Sequence, residues 1–156
     1  MPETLQIRFM EERDLDQVAA IEKKYFSMPW SRRNFLDSLK LAHTIYVVAE
    51  IDSRIAGYCG CYQMLEEAEI VNVAVDETFR GRGIGYRMLT ELMRLGEKQG
   101  AFAYTLEVRV SNAPAIRLYE SLGFESLGIR KNFYEKPVED AMIMWRKWMV
   151  SEEKPL

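Results

Sequence analysis

The hexapeptide Arg80-Gly81-Arg82-Gly83-Ile84-Gly85 lies between an apolar stretch ending at Val73-Ala74-Val75 and a segment carrying Met88, Leu89, Leu92, Met93 and Leu95 at helical spacing. Strand, glycine-rich loop and helix, in that order, limit what this chain can fold into more than any other feature. Glycines let the backbone approach an anion closely, and the first amides of the following helix point at it with the positive end of the helix dipole behind them. Arg80 and Arg82 add cations suited to charge-assisted bonds with phosphate. Spacing excludes two commoner phosphate motifs. A dinucleotide fingerprint needs glycine where Tyr86 stands, and a P-loop needs Gly-Lys-Ser/Thr, which is absent. Taken alone, the loop also fits a flexible turn with solvated arginines.

Periodicity organises the rest. Gln6 to Met10 reads as a first strand, and Asp14 is placed to cap a helix with Leu15, Val18, Ala19, Ile21, Tyr25 and Phe26 at helical spacing. After the break at Pro29-Trp30, Ser31 is an N-cap for a second helix carrying Phe35, Leu36 and Leu39. Thr44 to Glu50, Ile55 to Met64 and Glu69 to Val75 predict an antiparallel meander. The loop helix then runs to a stop at Gly100. Phe102, Tyr104, Leu106, Val108 and Val110 alternate with Ala103, Thr105, Glu107 and Arg109, which predicts a strand. Asn112 caps a helix that stops at Gly123, and two closing strands follow near Phe124 to Ile129 and Ala141 to Trp148, flanking a loop with Tyr134 and Pro137. The order is β-αα-βββ-α-β-α-ββ, an α+β arrangement without repeat or linker. One domain over 1–150 and a short tail over 151–156 are expected.

Bulk properties narrow the function. With 21 basic and 24 acidic residues the net charge is −3, which argues against a nucleic-acid partner bound through an overall positive field. No apolar run approaches the roughly 18 residues that span a bilayer. Met1 to Arg13 has neither a signal-peptide nor a transit-peptide composition, so a cytoplasmic protein with no membrane partner is expected. His43 is the single histidine, and Cys59 and Cys61 lie two apart on one strand, facing the same side. That inventory suits a buried thiol pair and leaves little to build a metal site from, so none is expected.

Two patterns in sequence order carry a family resemblance. R-G-x-G-I-G after Val73-Ala74-Val75, and Asn112-x-x-Ala115-x-x-Leu118-Tyr119-x-x-Leu122-Gly123-Phe124, together resemble the GNAT acetyltransferase superfamily over about Ile7 to Trp148. A narrower set resembles the RimI family, whose members acetylate the N-terminal alanine of a small-subunit ribosomal protein. It comprises Pro29-Trp30-Ser31 with Phe35, Asn72 to Val75, Leu106-Glu107-Val108-Arg109 with Ser111-Asn112, Leu118 to Ser121, and Glu139-Asp140-Ala141. Arg80, where some members have Gln, and Phe133 before Tyr134, where Tyr-Tyr also occurs, are departures; the second bears on acceptor preference. The resemblance implies the GNAT fold, a mixed and mainly antiparallel sheet flanked by helices, and acetyl-CoA as co-substrate.

It also implies site residues. Val73, Ala74 and Val75 would grip the pantetheine arm like an added strand, with a backbone N–H near Val75 facing the oxyanion. Arg80, Gly81, Arg82, Gly83, Ile84, Gly85 and Tyr86 would hold the pyrophosphate, and Asn112, also an N-cap, would bond the cofactor. Glu107 projects from the face opposite Leu106 and Val108; the resemblance makes it the proton acceptor, while the residues alone also allow a surface carboxylate paired with Arg109 or Lys131. Tyr119 is the implied proton donor, although its helix position also fits a core aromatic. Glu69 and Tyr134 are candidate substrate contacts; the acids Glu66, Glu67 and Glu69 also fit a solvated turn. An α-amino group titrates at about 7.7–8.0 and needs less help from a base than a lysine at about 10.4. The expected activity is therefore acetylation of a protein N-terminus. Transfer to a small-molecule amine, and an acyl-CoA-binding module without catalysis, are the alternatives; oligomeric state is not legible.

Overall fold

The computed structural model describes residues 4–147, so Trp148 and the tail 151–156 lie outside the described residues. The elements are β1 (Leu5–Phe9), α1 (Leu15–Tyr25), α2 (Arg32–Leu39), β2 (Thr44–Ile51), β3 (Arg54–Met64), β4 (Glu67–Val75), α3 (Ile84–Lys98), β5 (Ala103–Arg109), α4 (Ala113–Ser121), β6 (Glu125–Tyr134) and β7 (Glu139–Arg146). This is the order that the periodicity predicts. The seven strands form one sheet, β1-β2-β3-β4-β5-β7-β6, in which every pairing is antiparallel except β4 with β5. Among the described residues no helix is long and apolar enough to cross a membrane.

Two apolar clusters cover the two faces of the sheet. α3 lays Met88, Leu89 and Leu92 against Cys59, Cys61, Ile70, Leu106 and Met144, with Tyr119 of α4 and its C-cap Leu122 in the same cluster. α1 and α2 pack Leu15, Val18 and Phe35 on Tyr46, Val48 and Tyr58. Both cysteines are free and buried, and burial pushes the Cys61 thiol up to about 12. Met142 is only partly buried against the cluster that Met88, Met93 and Met144 enter fully.

Local chemistry explains most boundaries. Ser31 caps α2 by accepting from the Asn34 amide at 3.1 Å, and Asn112 caps α4 by accepting from Ala115 at 3.2 Å. Asp14 differs from expectation. It precedes α1 but makes no side-chain cap, because its carboxylate takes both terminal nitrogens of Arg8 at 2.8 Å and the Glu11 amide at 2.8 Å. A bidentate arginine is the stronger partner. β6 also differs, running to Tyr134 where the sequence suggests a stop near Ile129. It is an edge strand with no fully buried residue, so its polar half, Arg130-Lys131-Asn132, carries no alternation that would announce a strand. Tyr134 therefore ends a strand instead of lying in a loop.

Two irregularities in β4 make room for a site. Its register with β3 steps from Asn72 opposite Gly60 to Ile70 opposite Cys61, leaving Val71 as an extra residue. This bulge switches faces: Ala68 and Ile70 join the α3 cluster, whereas Ala74 joins the α1 cluster and Asn72 accepts from its Tyr46 hydroxyl at 2.9 Å. On its other side β4 pairs with β5 only from Glu67 to Glu69, against Ala103 to Thr105, and the strands then separate.

Candidate active site

The separation of β4 and β5 opens a cleft of about 1030 Å³, lined by Ile70 to Val75 on one wall and Leu106 to Arg109 on the other. Beyond Glu69 the β5-facing edge of β4 has no strand partner among the described residues, so backbone groups there face the cleft. Val73, Ala74 and Val75 all line it.

The glycine loop closes one margin. Gly81 and Gly83 have φ of 80° and 74°, a region that favours glycine, and Gly83 stands at the N-cap of α3 without a side-chain cap bond. Among the described residues the first-turn amides of α3 have neither intrahelical nor side-chain partners, the arrangement that binds anions. Gly85 packs closely on α4: a β-carbon there would lie 3.1 Å from the end of the Leu118 side chain, a tight contact. Arg80, Gly81, Gly83, Ile84, Gly85 and Tyr86 line the cleft. Arg82 is not among the lining residues; its guanidinium lies 5.4 Å from the Phe79 ring centroid. Arg80 donates to the Val75 carbonyl at 2.9 Å and packs 4.5 Å from the Tyr25 ring, which fixes its direction. The Tyr25 hydroxyl in turn donates to Asp76 at 2.5 Å and accepts from the Glu77 amide at 2.7 Å, bracing the start of the loop against α1. An open positive-φ loop, unpaired helix amides and a free strand edge suit a pyrophosphate with an extended arm.

Glu107 and Tyr119 line the same cleft from β5 and α4. Glu107 pairs with Arg130 at 2.7 Å, not with Arg109 or Lys131 as the sequence suggests. Its side chain is 18% exposed, so it is no solvated surface acid. Tyr119 is buried, edge-on to Phe124 at 6.0 Å, and no described residue hydrogen-bonds its hydroxyl. Burial first, then the sulfur of Cys59, pushes its pKa well above the usual tyrosine value. The core reading and the cleft reading of Tyr119 thus hold together: one edge packs, and the other faces the cavity. Asn112 lines the cleft with its Oδ1 committed to the α4 cap.

Of the two substrate candidates, Tyr134 lines the cleft and Glu69 does not. Burial, then the nearby Glu107 charge, pushes Tyr134 up to about 12. Glu69 instead faces a separate hollow of about 180 Å³ shared with Glu107 and Arg130. Burial and the Glu107 charge raise its pKa, and Arg130 opposes them. Glu69 is the last β4 residue still paired with β5, opposite Thr105, so it lies below the point where the strands part and the cleft opens.

Residues 15–124 match the acetyltransferase (GNAT) family. The chain belongs to that family. This GNAT protein is 37% identical over 140 residues to the [ribosomal protein bS18]-alanine N-acetyltransferase of Salmonella typhimurium, covering 88% of this chain and 94% of the relative. A Bacillus subtilis relative, provisionally given the same name, is 39% identical over 140 residues, covering 89% and 93%. The crystal structure of the ribosomal-protein-S18-alanine N-acetyltransferase from Escherichia coli superposes with a TM-score of 0.85 at 33% identity, over 98% of this chain and all of that one. GNAT acetyltransferases use acetyl-CoA, and the acyltransferase assignment follows from the family.

Two residues at the site of this GNAT protein escape a sequence reading, Glu22 in the cleft and Arg130 in the smaller hollow. Glu22 lines the cleft and is buried, its carboxylate accepting from the Tyr58 hydroxyl at 2.6 Å and the Trp30 amide at 3.1 Å. A signal existed: Glu22 is four residues past Val18 and seven past Leu15, on the apolar stripe of α1. Burial raises its pKa, and the bonds from Tyr58 and Trp30 oppose that rise. Arg130 had no signal, since its partner lies two strands away in the sheet.

Proposed function

We propose that this enzyme transfers acetyl from acetyl-CoA to the α-amino group of a protein N-terminus, its acceptor being the N-terminal alanine of a small-subunit ribosomal protein. One observation carries the reading. Glu107 and Tyr119, a carboxylate and a phenol on different elements, face one cleft where β4 and β5 separate, with the glycine loop at its margin. The names of relatives 33–39% identical over most of the chain support the choice of acceptor.

Acetyl-CoA supplies an activated thioester, so much of the rate gain comes from positioning. Glycine loop and α3 amides hold the phosphates, and the free edge of β4 holds the arm. Glu107 accepts the proton of the attacking amine, directly or through a water, as the new C–N bond forms. Amides of the β4 edge stabilise the carbonyl oxygen. Tyr119 gives its proton to the sulfur as the C–S bond breaks; a phenol is protonated near neutral pH, and this one lines the cleft. A polycationic small amine fits less well, because two of the three carboxylates that line the cleft are engaged: Glu107 faces Arg130 and Glu22 is internally bonded, with Glu135 the third.

The test is coenzyme A release from acetyl-CoA with peptides differing in their first residues, alongside N-terminally blocked peptides and free polyamines. Turnover confined to free N-termini, with peptides beginning in Ala among the best, supports the proposal. Turnover with polyamines alone would replace the acceptor class. Tight acetyl-CoA binding without turnover would favour the binding-module alternative.

A further inference from the structure

Arg109 stands two residues past Glu107 on β5, so both side chains leave the same face of the strand. Its guanidinium is engaged on both terminal nitrogens. Nη1 donates to the Pro137 carbonyl at 3.0 Å and to Glu139 at 3.1 Å, and Nη2 donates to the Glu135 carbonyl at 3.0 Å and to Ser27 Oγ at 3.3 Å. The group also lies 4.5 Å from the Tyr134 ring centroid. Ser27 belongs to the connector between α1 and α2, whereas Glu135, Pro137 and Glu139 belong to the β6–β7 hairpin. Ser27 itself donates to the Glu135 carbonyl at 3.3 Å, and the second oxygen of Glu139 accepts from the Ser111 amide at 2.8 Å. No backbone hydrogen bond joins connector to hairpin among the described residues. Their polar ties run through Ser27 and Arg109.

Both segments are walls of the cleft. The connector contributes Phe26, Met28 and Trp30, and the hairpin contributes Phe133, Tyr134 and Glu135. We infer that Arg109 is a positioning residue for the acceptor: it latches the connector to the hairpin and so sets the width of the cleft where the acceptor enters, without touching the reacting atoms. This rests on the reading that the cleft takes a peptide N-terminus. Arginine suits the task because its planar fork satisfies several acceptors in different directions at once, which a lysine ammonium cannot do in the same geometry. Without the latch, two aromatic-bearing segments have to be ordered by the acceptor itself. That cost falls on acceptor binding and leaves acetyl-CoA binding and the chemical step comparatively untouched.

Steady-state kinetics and hydrogen exchange on the full chain test this together, with Arg109→Gln, Arg109→Lys and Ser27→Ala compared with wild type. The KM for an N-terminal peptide is expected to rise about tenfold in R109Q and R109K and about threefold in S27A. The KM for acetyl-CoA should stay near wild type, and kcat should fall less than the peptide KM rises. Exchange should speed up over 26–30 and 133–138 together in all three variants. Recovery by R109K would overturn the latch in favour of charge alone. An unchanged peptide KM, equal losses towards both substrates, or accelerated exchange in only one segment would overturn it too. If R109Q does not fold, S27A decides, since it removes a surface hydroxyl. Exchange needs no acceptor, so a wild-type enzyme inactive on every peptide would refute the proposed substrate while the latch itself is still judged.

Discussion

Arg130 reaches from β6 over the intervening β7 to place Nη1 2.7 Å from the Glu107 carboxylate on β5. The proposed base is thus held by a cation two strands away, and the pair sits where the main cleft meets the smaller hollow. Replacing Glu107 with Gln keeps the shape of the side chain and removes the proton acceptor. The expected loss is about 10²- to 10⁴-fold in kcat, with the KM for acetyl-CoA near wild type. Arg130→Gln releases the carboxylate from its fixed position and should lower kcat by a smaller factor, about tenfold. Single-turnover acetyl transfer measures both. Wild-type kcat in E107Q would remove Glu107 from the mechanism.

Tyr119→Phe separates the two roles of that ring. A buried hydroxyl without a partner adds no net stability, so its removal should leave the melting temperature unchanged or slightly raised. A proton donor, by contrast, is worth about 10²-fold or more in kcat. A stable but slow Y119F enzyme is therefore expected from thermal melts and steady-state kinetics. A variant that is destabilised yet fully active would make Tyr119 a core residue only.

The glycine loop gives a prediction about co-substrate binding. At Gly83 an added methyl meets nothing within 4 Å, but φ is 74°. Gly83→Ala therefore acts through backbone strain, roughly 1–2 kcal/mol for an L-residue held left-handed. The loop should relieve that strain by turning its amides away from the phosphates. A raised Kd for acetyl-CoA by calorimetry, with an unchanged KM for the peptide acceptor, is the expected outcome. An unaltered Kd would mean that the loop amides do not hold the phosphates.

How much of this was legible in the sequence follows from which forces are local. The order of strands and helices reads directly, because alternation on β5 and the α3 stripe Met88, Leu89, Leu92 are properties of neighbouring residues. The loop reads well for the same reason, since positive φ at Gly81 and Gly83 is a local demand met by local residues. Glu107 and Tyr119 came mainly from family resemblance; spacing alone left each with a bland alternative. Partners across the sheet do not read. Arg130 sits in a polar run on an edge strand, and Arg8 draws Asp14 away from its cap through a contact between separate elements. The place of Glu69 does not read either, because it depends on where β4 stops pairing with β5, a contact between strands far apart in sequence.

Glu22 ties the pH dependence of stability to the connector. Its carboxylate is buried, and its native pKa is raised above the ordinary value of 4.5. The folded state therefore prefers the protonated form. The stability this group contributes is fully present below the ordinary value and is lost as pH rises through the raised native one. Glu22→Gln mimics the protonated side chain and can still accept from the Trp30 amide, while the Tyr58 hydroxyl turns to accept. Relative to wild type, E22Q should gain stability as pH rises from the ordinary glutamate value towards neutrality, and the gain should level off above the native pKa of Glu22. Urea melts of both proteins across that range measure the difference. If the carboxylate were net stabilised by Tyr58 and Trp30, the slope would reverse, with E22Q losing ground as pH rises. The anchor would then be an ionised carboxylate, with the connector held most firmly at neutral pH.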